Sequence, residues 1–315
     1  MGYEWGMRAW STDDIPDLTG STAVVTGANS GIGAATALAL ARAGALTVLA
    51  CRSPERGERT LKAIRAAVPG AEVRLVPLDL ADLASVRTAA DALARTVDGQ
   101  LDLLINNAGV MALPLRLTAD GFESQFGIDH LGHFALTGLL LPVLGASAPS
   151  RVVTVSSLAH LFGRIDFGNL QGERGYRSWP AYGQAKLANL LFTDELERRA
   201  RHAGRDIQAL AAHPGLSATE LGQAGPLMAG RVWAAKLERA TRLFTQPASR
   251  GALPVLRAAT DPAARGGEYY GPRRPLEVRG APGPARRSAR ARDARTAGAL
   301  WEESARLTGV SPDFG

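Results

Sequence analysis

Residues 22–43 constrain what this chain folds into more than any other stretch. Thr22-Ala23-Val24-Val25 reads as a short buried strand, Thr26-Gly27-Ala28-Asn29-Ser30-Gly31-Ile32-Gly33 as a glycine-rich turn, and Ala34 to Ala43 as a helical run. In that order they form a cradle for a dinucleotide pyrophosphate. Glycines let the backbone approach the phosphates, and the helix N-terminus offers free N–H groups and a positive dipole end. Gly27, Asn29, Ser30, Gly31, Ile32 and Gly33 are therefore candidate cofactor contacts. The spacing is T-G-x-x-x-G-x-G rather than the commoner G-x-G-x-x-G, and taken alone the segment also reads as a tight turn without ligand.

Apolar strand-like runs recur between helical patterns at 45–51, 73–78, 101–106, 151–156 and 207–212. Strands alternating with helices predict parallel pairing through right-handed crossovers. The expected fold class is α/β: a single-domain, Rossmann-like doubly wound parallel sheet of about seven strands with helices on both faces. A chain of 315 residues, 46% hydrophobic and 21% charged, is long enough for one such domain. The expected boundaries are an N-terminal extension at 1–17, a catalytic domain at 18–275 and an Arg-rich tail at 276–315 packing on the same domain.

A second signal lies far along the chain. Tyr182-Gly183-Gln184-Ala185-Lys186 reads Y-x-x-x-K and runs into the apolar, helix-forming stretch Leu187 to Phe192, so phenol and ammonium share one helical face. Lowering a tyrosine from ~10 to about 7 takes roughly 4 kcal/mol of preference for the phenolate, at ~1.36 kcal/mol per unit. One ammonium about 4 Å away supplies that much at an effective dielectric near 20. The pair Ser156-Ser157 lies upstream and adds a hydroxyl. The pattern predicts a phenol that exchanges protons near neutral pH.

Thr26-Gly27 with Gly31-Ile32-Gly33, Asn106-Asn107-Ala108-Gly109, Ser157, Tyr182 with Lys186, and Pro214-Gly215 together resemble the short-chain dehydrogenase/reductase family, over about Leu18 to Tyr270. Asp129-His130-Leu131-Gly132-His133-Phe134 and the stretch from Gly163 to Phe192 are similar to its retinol-dehydrogenase-like branch. The resemblance implies that Tyr182 gives a proton to a carbonyl oxygen while a nicotinamide delivers hydride, that Ser157 rather than Ser156 hydrogen-bonds that oxygen, and that Lys186 holds the nicotinamide ribose and favours the phenolate. It further implies that Asp79 and Leu80 hold the adenine, that Asn106, Asn107, Ala108 and Gly109 pass the ribose, and that Pro214, Gly215 and Thr219 meet the nicotinamide. A plain helix cap is the other reading of Asp79. The family's fourth catalytic position is an asparagine that supports a helix kink; here it is Asp129. A carboxylate there does the same work or pairs with Lys186, weakening its pull on Tyr182 and raising the phenol pKa.

NAD-selective relatives of this fold place an acid after the second strand, whereas this chain reads Ala50-Cys51-Arg52-Ser53. Arg52 offers a guanidinium fork for a 2′-phosphate, with Ser30 or Ser53 as added donors, so NADP(H) is the expected cofactor. A lid at about 216–247, carrying Met228 and Trp233, together with Leu158, Phe162 and Trp179, predicts a large hydrophobic ketone or aldehyde: a polyketide, terpenoid, steroid or retinoid-like compound. His160 reads as a satisfied loop histidine or a substrate contact. The competing expectations are a cyclase, dehydratase or epimerase of the same fold acting without net redox, and a non-enzymatic NADP-binding scaffold.

One cysteine excludes an internal disulfide framework, and Met1 to Asp17 shows no apolar signal segment. A cytoplasmic protein without a membrane anchor is expected. The net charge is +6, and the chain from Gly271 onward holds about nine arginines against about five acids. A nucleic-acid role for Arg286, Arg287, Arg290, Arg292 and Arg295 is disfavoured because no aromatic residues interleave with them. They read instead as a solvated helix face, with a flexible loop at Pro282-Gly283-Pro284 and a final amphipathic run (Leu300, Trp301, Ala305, Leu307) that docks on its own domain. Family resemblance offers the apolar helix near 136–144 and the Tyr182 helix to a second copy, implying a homodimer or homotetramer.

Overall fold

The computed structural model describes residues 9–146, 149–216 and 246–315. Its centre is an eight-stranded sheet in the order β3-β2-β1-β4-β5-β6-β7-β8. The strands are β1 (Thr22–Thr26), β2 (Leu46–Cys51), β3 (Val73–Pro77), β4 (Leu103–Asn106), β5 (Ser150–Val155), β6 (Ile207–Ala212), β7 (Tyr269–Pro272) and β8 (Pro282–Pro284). All neighbours pair in parallel except β7 with β8. β1 is buried at all five positions, as a central parallel strand covered on both faces must be.

Among the described residues seven α-helices pack on this sheet. They are α1 (Gly31–Arg42), α2 (Pro54–Ala67), α3 (Leu83–Thr96), α4 (Gly132–Leu140), α5 (Ser178–His202), α6 (Ala248–Thr260) and α7 (Ala294–Thr308). Alternation along β1 sorts its side chains: Ala23 and Val25 join the core under α1 and α6, while Val24 joins the core under α3, α4 and α5. Local chemistry sets the helix starts. Ser53 caps α2 by accepting from Arg56 N, with Pro54 at the first helical position. Asp82 caps α3 through Ala84 N at 2.8 Å.

The C-terminal region departs from expectation in two ways. Pro282-Gly283-Pro284 is the edge strand β8, with Gly271 opposite Gly283, rather than a flexible loop. Proline lacks a ladder donor and is tolerated at a sheet edge, so composition there mimics a loop. Arg287 is not on a solvated face either. Its guanidinium pairs with Asp194 and lies 5.7 Å from the Tyr269 ring centre. Arg286, Arg290, Arg292 and Arg295 are exposed.

The final amphipathic run docks as its pattern implies. Trp301 stacks on Phe192 at 5.8 Å, meets Phe134 edge-on at 5.0 Å, and lies beneath the Arg199 guanidinium, which also pairs with Glu302 at 2.6 Å. Truncating a buried aromatic of this kind costs about 3–5 kcal/mol, so α7 is a structural part of the body. Residues 182–193 of α5 are buried without interruption, and Leu136, Leu140, Leu141 and Leu144 are fully buried within the single chain.

Candidate active site

Six of the candidate segments lie at the carboxyl ends of parallel strands: Gly27 after β1, Arg52 after β2, Asp79 after β3, Asn106 to Gly109 at β4, Ser157 after β5 and Pro214 after β6. The chain leaves β1 in one direction through β2 and β3, then returns to place β4 on the other side of β1. Open α/β sheets bind ligands in the crevice at this reversal.

The glycine-rich turn fits a pyrophosphate. Gly27 has φ +65°, and a Cβ on it would lie 2.8 Å from Ala108 Cα; on Gly33 it would lie 2.4 Å from Gly27 O and 2.5 Å from Asn107 Nδ2. Absent side chains thus let β1, α1 and the β4 loop close together. Ser30 makes no side-chain cap on α1, which leaves its hydroxyl and the helix N-terminus available to an anion. Ile32 is core, so only its backbone faces the turn. Asn29, half-buried, accepts at its carbonyl from Thr60 Oγ1 at 3.3 Å.

Arg52 is exposed at the end of β2. Ser53 is less free than expected, because its hydroxyl donates to Glu55 Oε2 at 2.8 Å while capping α2. Asp79 is not the helix cap, a role Asp82 takes; its Oδ1 accepts Ala81 N at 3.0 Å. Leu80 is buried with its carbonyl close to Gly132, so Asp79 alone of the two presents a side chain. Asn106 donates from Nδ2 to Thr137 Oγ1 at 3.0 Å, and Asn107 Nδ2 donates to Thr26 O at 2.7 Å. The structure also reveals a hub absent from the motif reading. Thr26 Oγ1 accepts the N–H groups of Asn107 and Ala108, each at 2.9 Å, and meets His133 Nε2 at 2.9 Å.

Tyr182, Lys186, Ser157 and Asp129 come together. α5 places Lys186 Nζ 5.6 Å from the Tyr182 ring centre, one turn away as the spacing requires. Ser156 is buried and donates to Lys186 O at 2.7 Å, whereas Ser157 is half-exposed and caps the 3₁₀ turn Leu158–Leu161. The two serines therefore divide into a structural and an available hydroxyl.

Asp129 sits in a π-turn, Gly127–Leu131, marked by Gly132 N donating to Gly127 O. Such turns are rare and favour functional sites. The Asp129 carbonyl accepts His133 Nδ1 at 3.1 Å, so His133 Nε2 is left to accept from Thr26. The Asp129 carboxylate accepts Val110 N at 2.7 Å and pairs with Lys186 Nζ at 3.0 Å, fully buried. A Cβ on Gly109 would lie 3.2 Å from Asp129 Oδ1 and 3.3 Å from Lys186 Nζ. Gly109 therefore makes room for the ion pair itself, in addition to its expected place beside the ribose.

Burial corrects the expected near-neutral Tyr182, while Asp129 acts in the upward direction expected of it. An ammonium 5.6 Å from the ring centre is worth about 3 kcal/mol at an effective dielectric near 20, roughly two pKa units. Burial opposes it and wins, holding the phenol above its ordinary value; Lys186 and a hydrogen bond with Ser157 lower it, and Asp129 raises it. Burial also raises Asp129, against the pull of Lys186. Lys186 is lowered by burial but held above the ordinary lysine value by Asp129 and Tyr182.

Phe162 and Trp179 are about half exposed, at 54% and 52%. Trp179 meets Tyr182 edge-on at 6.1 Å, and Phe162 packs on Gly183. Neither is core. Leu158 is half-buried beside them. His160 is fully buried and satisfied, with Nδ1 donating to Ser157 O at 2.7 Å. Thr219, Met228, Trp233 and the expected lid lie outside the described residues, though the flanks of that segment meet where Gln246 N donates to Leu216 O at 2.9 Å. Among the described residues, no helix is long and apolar enough to cross a membrane, and no His, Cys, Asp or Glu cluster suits a metal.

An anion-ready helix N-terminus at the sheet reversal, beside a tyrosine and lysine one turn apart, defines a nicotinamide-dependent oxidoreductase. Comparison agrees: the model of the short chain dehydrogenase family matches residues 21–226. Mouse retinol dehydrogenase 12 is 42% identical over 93% of this chain and 88% of its own length. Human retinol dehydrogenase 13 is 44% identical over 93% and 86%. The crystal structure of an uncharacterized protein from Mycobacterium paratuberculosis superposes with TM-score 0.79 at 44% identity, covering 97% of this chain and 100% of that one. The chain belongs to the short-chain dehydrogenase/reductase family, in its retinol-dehydrogenase-like branch, whose members bind NAD(P).

The buried histidines set a pH limit on stability. Burial pushes His133 down to about 4 and His130 to about 3, so both are neutral in the fold. Near and below the ordinary value of ~6.5 the unfolded chain takes protons that the fold refuses. Stability is therefore complete above that value and is lost as pH falls towards the folded values, by up to about 1.4 kcal/mol per unit for each histidine. Melting temperature should fall between pH 7 and 5, and less steeply in His133→Asn, which cannot titrate; equal slopes contradict the assignment.

Proposed function

We propose that the protein is an NADPH-dependent reductase of a ketone or aldehyde carried on a large hydrophobic scaffold, such as a polyketide, terpenoid, steroid or retinoid-like compound. The observation that carries this reading is the gathering of Tyr182, Lys186 and Ser157 at the strand ends beside the glycine-rich turn. The relatives' names as retinol dehydrogenases and the half-exposed Phe162 and Trp179 beside Tyr182 support a lipophilic guest.

When bound, the reduced nicotinamide supplies the hydride. Tyr182 hands its proton to the carbonyl oxygen, and the Ser157 hydroxyl donates a hydrogen bond to the same oxygen. A phenol held above its ordinary pKa remains protonated at rest, which is the state an acid needs for reduction. Lys186, kept cationic by Asp129, stabilises the phenolate left behind and holds the ribose. Asp129 fixes the ammonium and moderates its pull on the phenol.

NADPH preference rests on Arg52, exposed at the end of β2 where an acid would select NAD. Its guanidinium and the uncapped Ser30 hydroxyl form donors for a 2′-phosphate.

Incubation with NADPH and all-trans-retinal, or a panel of hydrophobic ketones, should oxidise one NADPH per carbonyl reduced. Tyr182→Phe should lower kcat about 100- to 10,000-fold with NADPH binding intact. Product formed without NADPH consumption would instead favour acid–base chemistry without redox. Replacing the guanidinium in Arg52→Ala should raise KM for NADPH about 10- to 100-fold, as loss of charge-assisted bonds does, and leave KM for NADH nearly unchanged; equal effects on both cofactors contradict 2′-phosphate recognition.

A further inference from the structure

Two neighbouring strands end in site loops: the one after β5, carrying Ser157, and the one after β6, carrying Pro214-Gly215. The same C-terminal segment grips both. On the first side, His160 donates from Nδ1 to Ser157 O at 2.7 Å, and its Nε2 accepts the backbone N–H of Ser288 at 3.4 Å. Ser288 is anchored by its neighbours. Arg287 pairs with Asp194, and Arg290 donates to Gly163 O at 3.2 Å.

On the second side, His213 Nδ1 accepts Gly215 N at 3.3 Å, so its Nε2–H faces Glu277 Oε2 at 3.2 Å. Glu277 Oε1 accepts Arg286 N at 3.0 Å, and Leu216 N donates to Val278 O at 2.8 Å. Leu276 and Glu277 have φ of +61° and +55°, a left-handed backbone that non-glycine residues hold only when their surroundings impose it. Both imidazoles pack against one ring: Tyr269 lies 5.6 Å from His160 and 5.3 Å from His213.

We propose that residues 277–288 form a clasp that fixes the Ser157 loop relative to the Pro214-Gly215 loop, with His160 and His213 as positioning residues. The clasp rests on the reading that Ser157 meets the substrate's carbonyl oxygen. It places the C-terminal segment behind the reaction without contact to substrate. It also explains why His160 and His213 are both fully buried yet each satisfied at both ring nitrogens.

The backbone N–H of Ser288 gives a direct test. Ser288 has φ −65° and ψ 158°, which proline adopts without strain. Ser288→Pro removes the donor to His160, whereas Ser288→Ala keeps it and removes only the hydroxyl that caps the turn Ala289–Arg292. Amide exchange across residues 158–163 should accelerate in Ser288→Pro and stay at the wild-type rate in Ser288→Ala. With NADPH and the carbonyl substrate, kcat should fall about 3- to 10-fold in the proline variant, the effect of one lost hydrogen bond, with KM for NADPH unchanged. His160→Asn, which keeps a donor towards Ser157 O and loses the Ser288 acceptor, should match Ser288→Pro. Equal exchange in the proline and alanine variants overturns the clasp whatever the turnover. Faster exchange at 158–163 with undiminished kcat overturns the role of Ser157 while leaving the clasp in place.

Discussion

The buried pair between Lys186 and Asp129 is the interaction on which the rest of this site depends. Placing two charges out of water costs several kcal/mol per ion, and replacing such pairs by apolar residues is often neutral or stabilising. Stability therefore does not account for it. Its position does: the ammonium lies between a carboxylate at 3.0 Å and the ring of Tyr182 at 5.6 Å. The carboxylate keeps Lys186 charged and offsets part of its pull, adding to the burial that holds the Tyr182 phenol above its ordinary value.

Much of the architecture serves to hold this pair. The π-turn at Gly127–Leu131 sets Asp129, and His133 hydrogen-bonds its carbonyl. His133 in turn meets Thr26, whose hydroxyl organises the β4 loop around Gly109, where no side chain fits. The glycine-rich turn after β1 and the loop beside the Asp129–Lys186 pair are thus joined through Thr26. The C-terminal segment closes the sheet with β8, supports α5 through Trp301 and reaches the loops after β5 and β6.

The parts legible in the sequence were those written in local pattern. Buried strand runs, the glycine spacing and the Y-x-x-x-K helix each carry their geometry within a few residues, and they led to the parallel sheet and the clustering of Ser157, Tyr182 and Lys186. What pattern did not carry depends on contacts across the chain. The near-neutral Tyr182 was expected because spacing shows the ammonium but not the depth of burial, whereas the upward pull of Asp129 was among the readings. Ser53 was offered as a phosphate donor because spacing does not show its bond to Glu55. β8 was read as a loop because two prolines and a glycine fit either state, and Arg287 as solvated because Asp194 lies 93 residues away. His160 and His213 gave no signal beyond being histidines near a motif.

The most direct measurement is the pH dependence of kcat for wild type and for Asp129→Asn, with NADPH saturating. In the proposed reduction Tyr182 acts in its protonated form, so the rate falls as pH rises through its pKa. Removing the carboxylate's negative charge lowers that pKa, and the alkaline limb should move to lower pH by about a unit or more. An unchanged profile would contradict the claim that the buried pair sets the acidity of Tyr182.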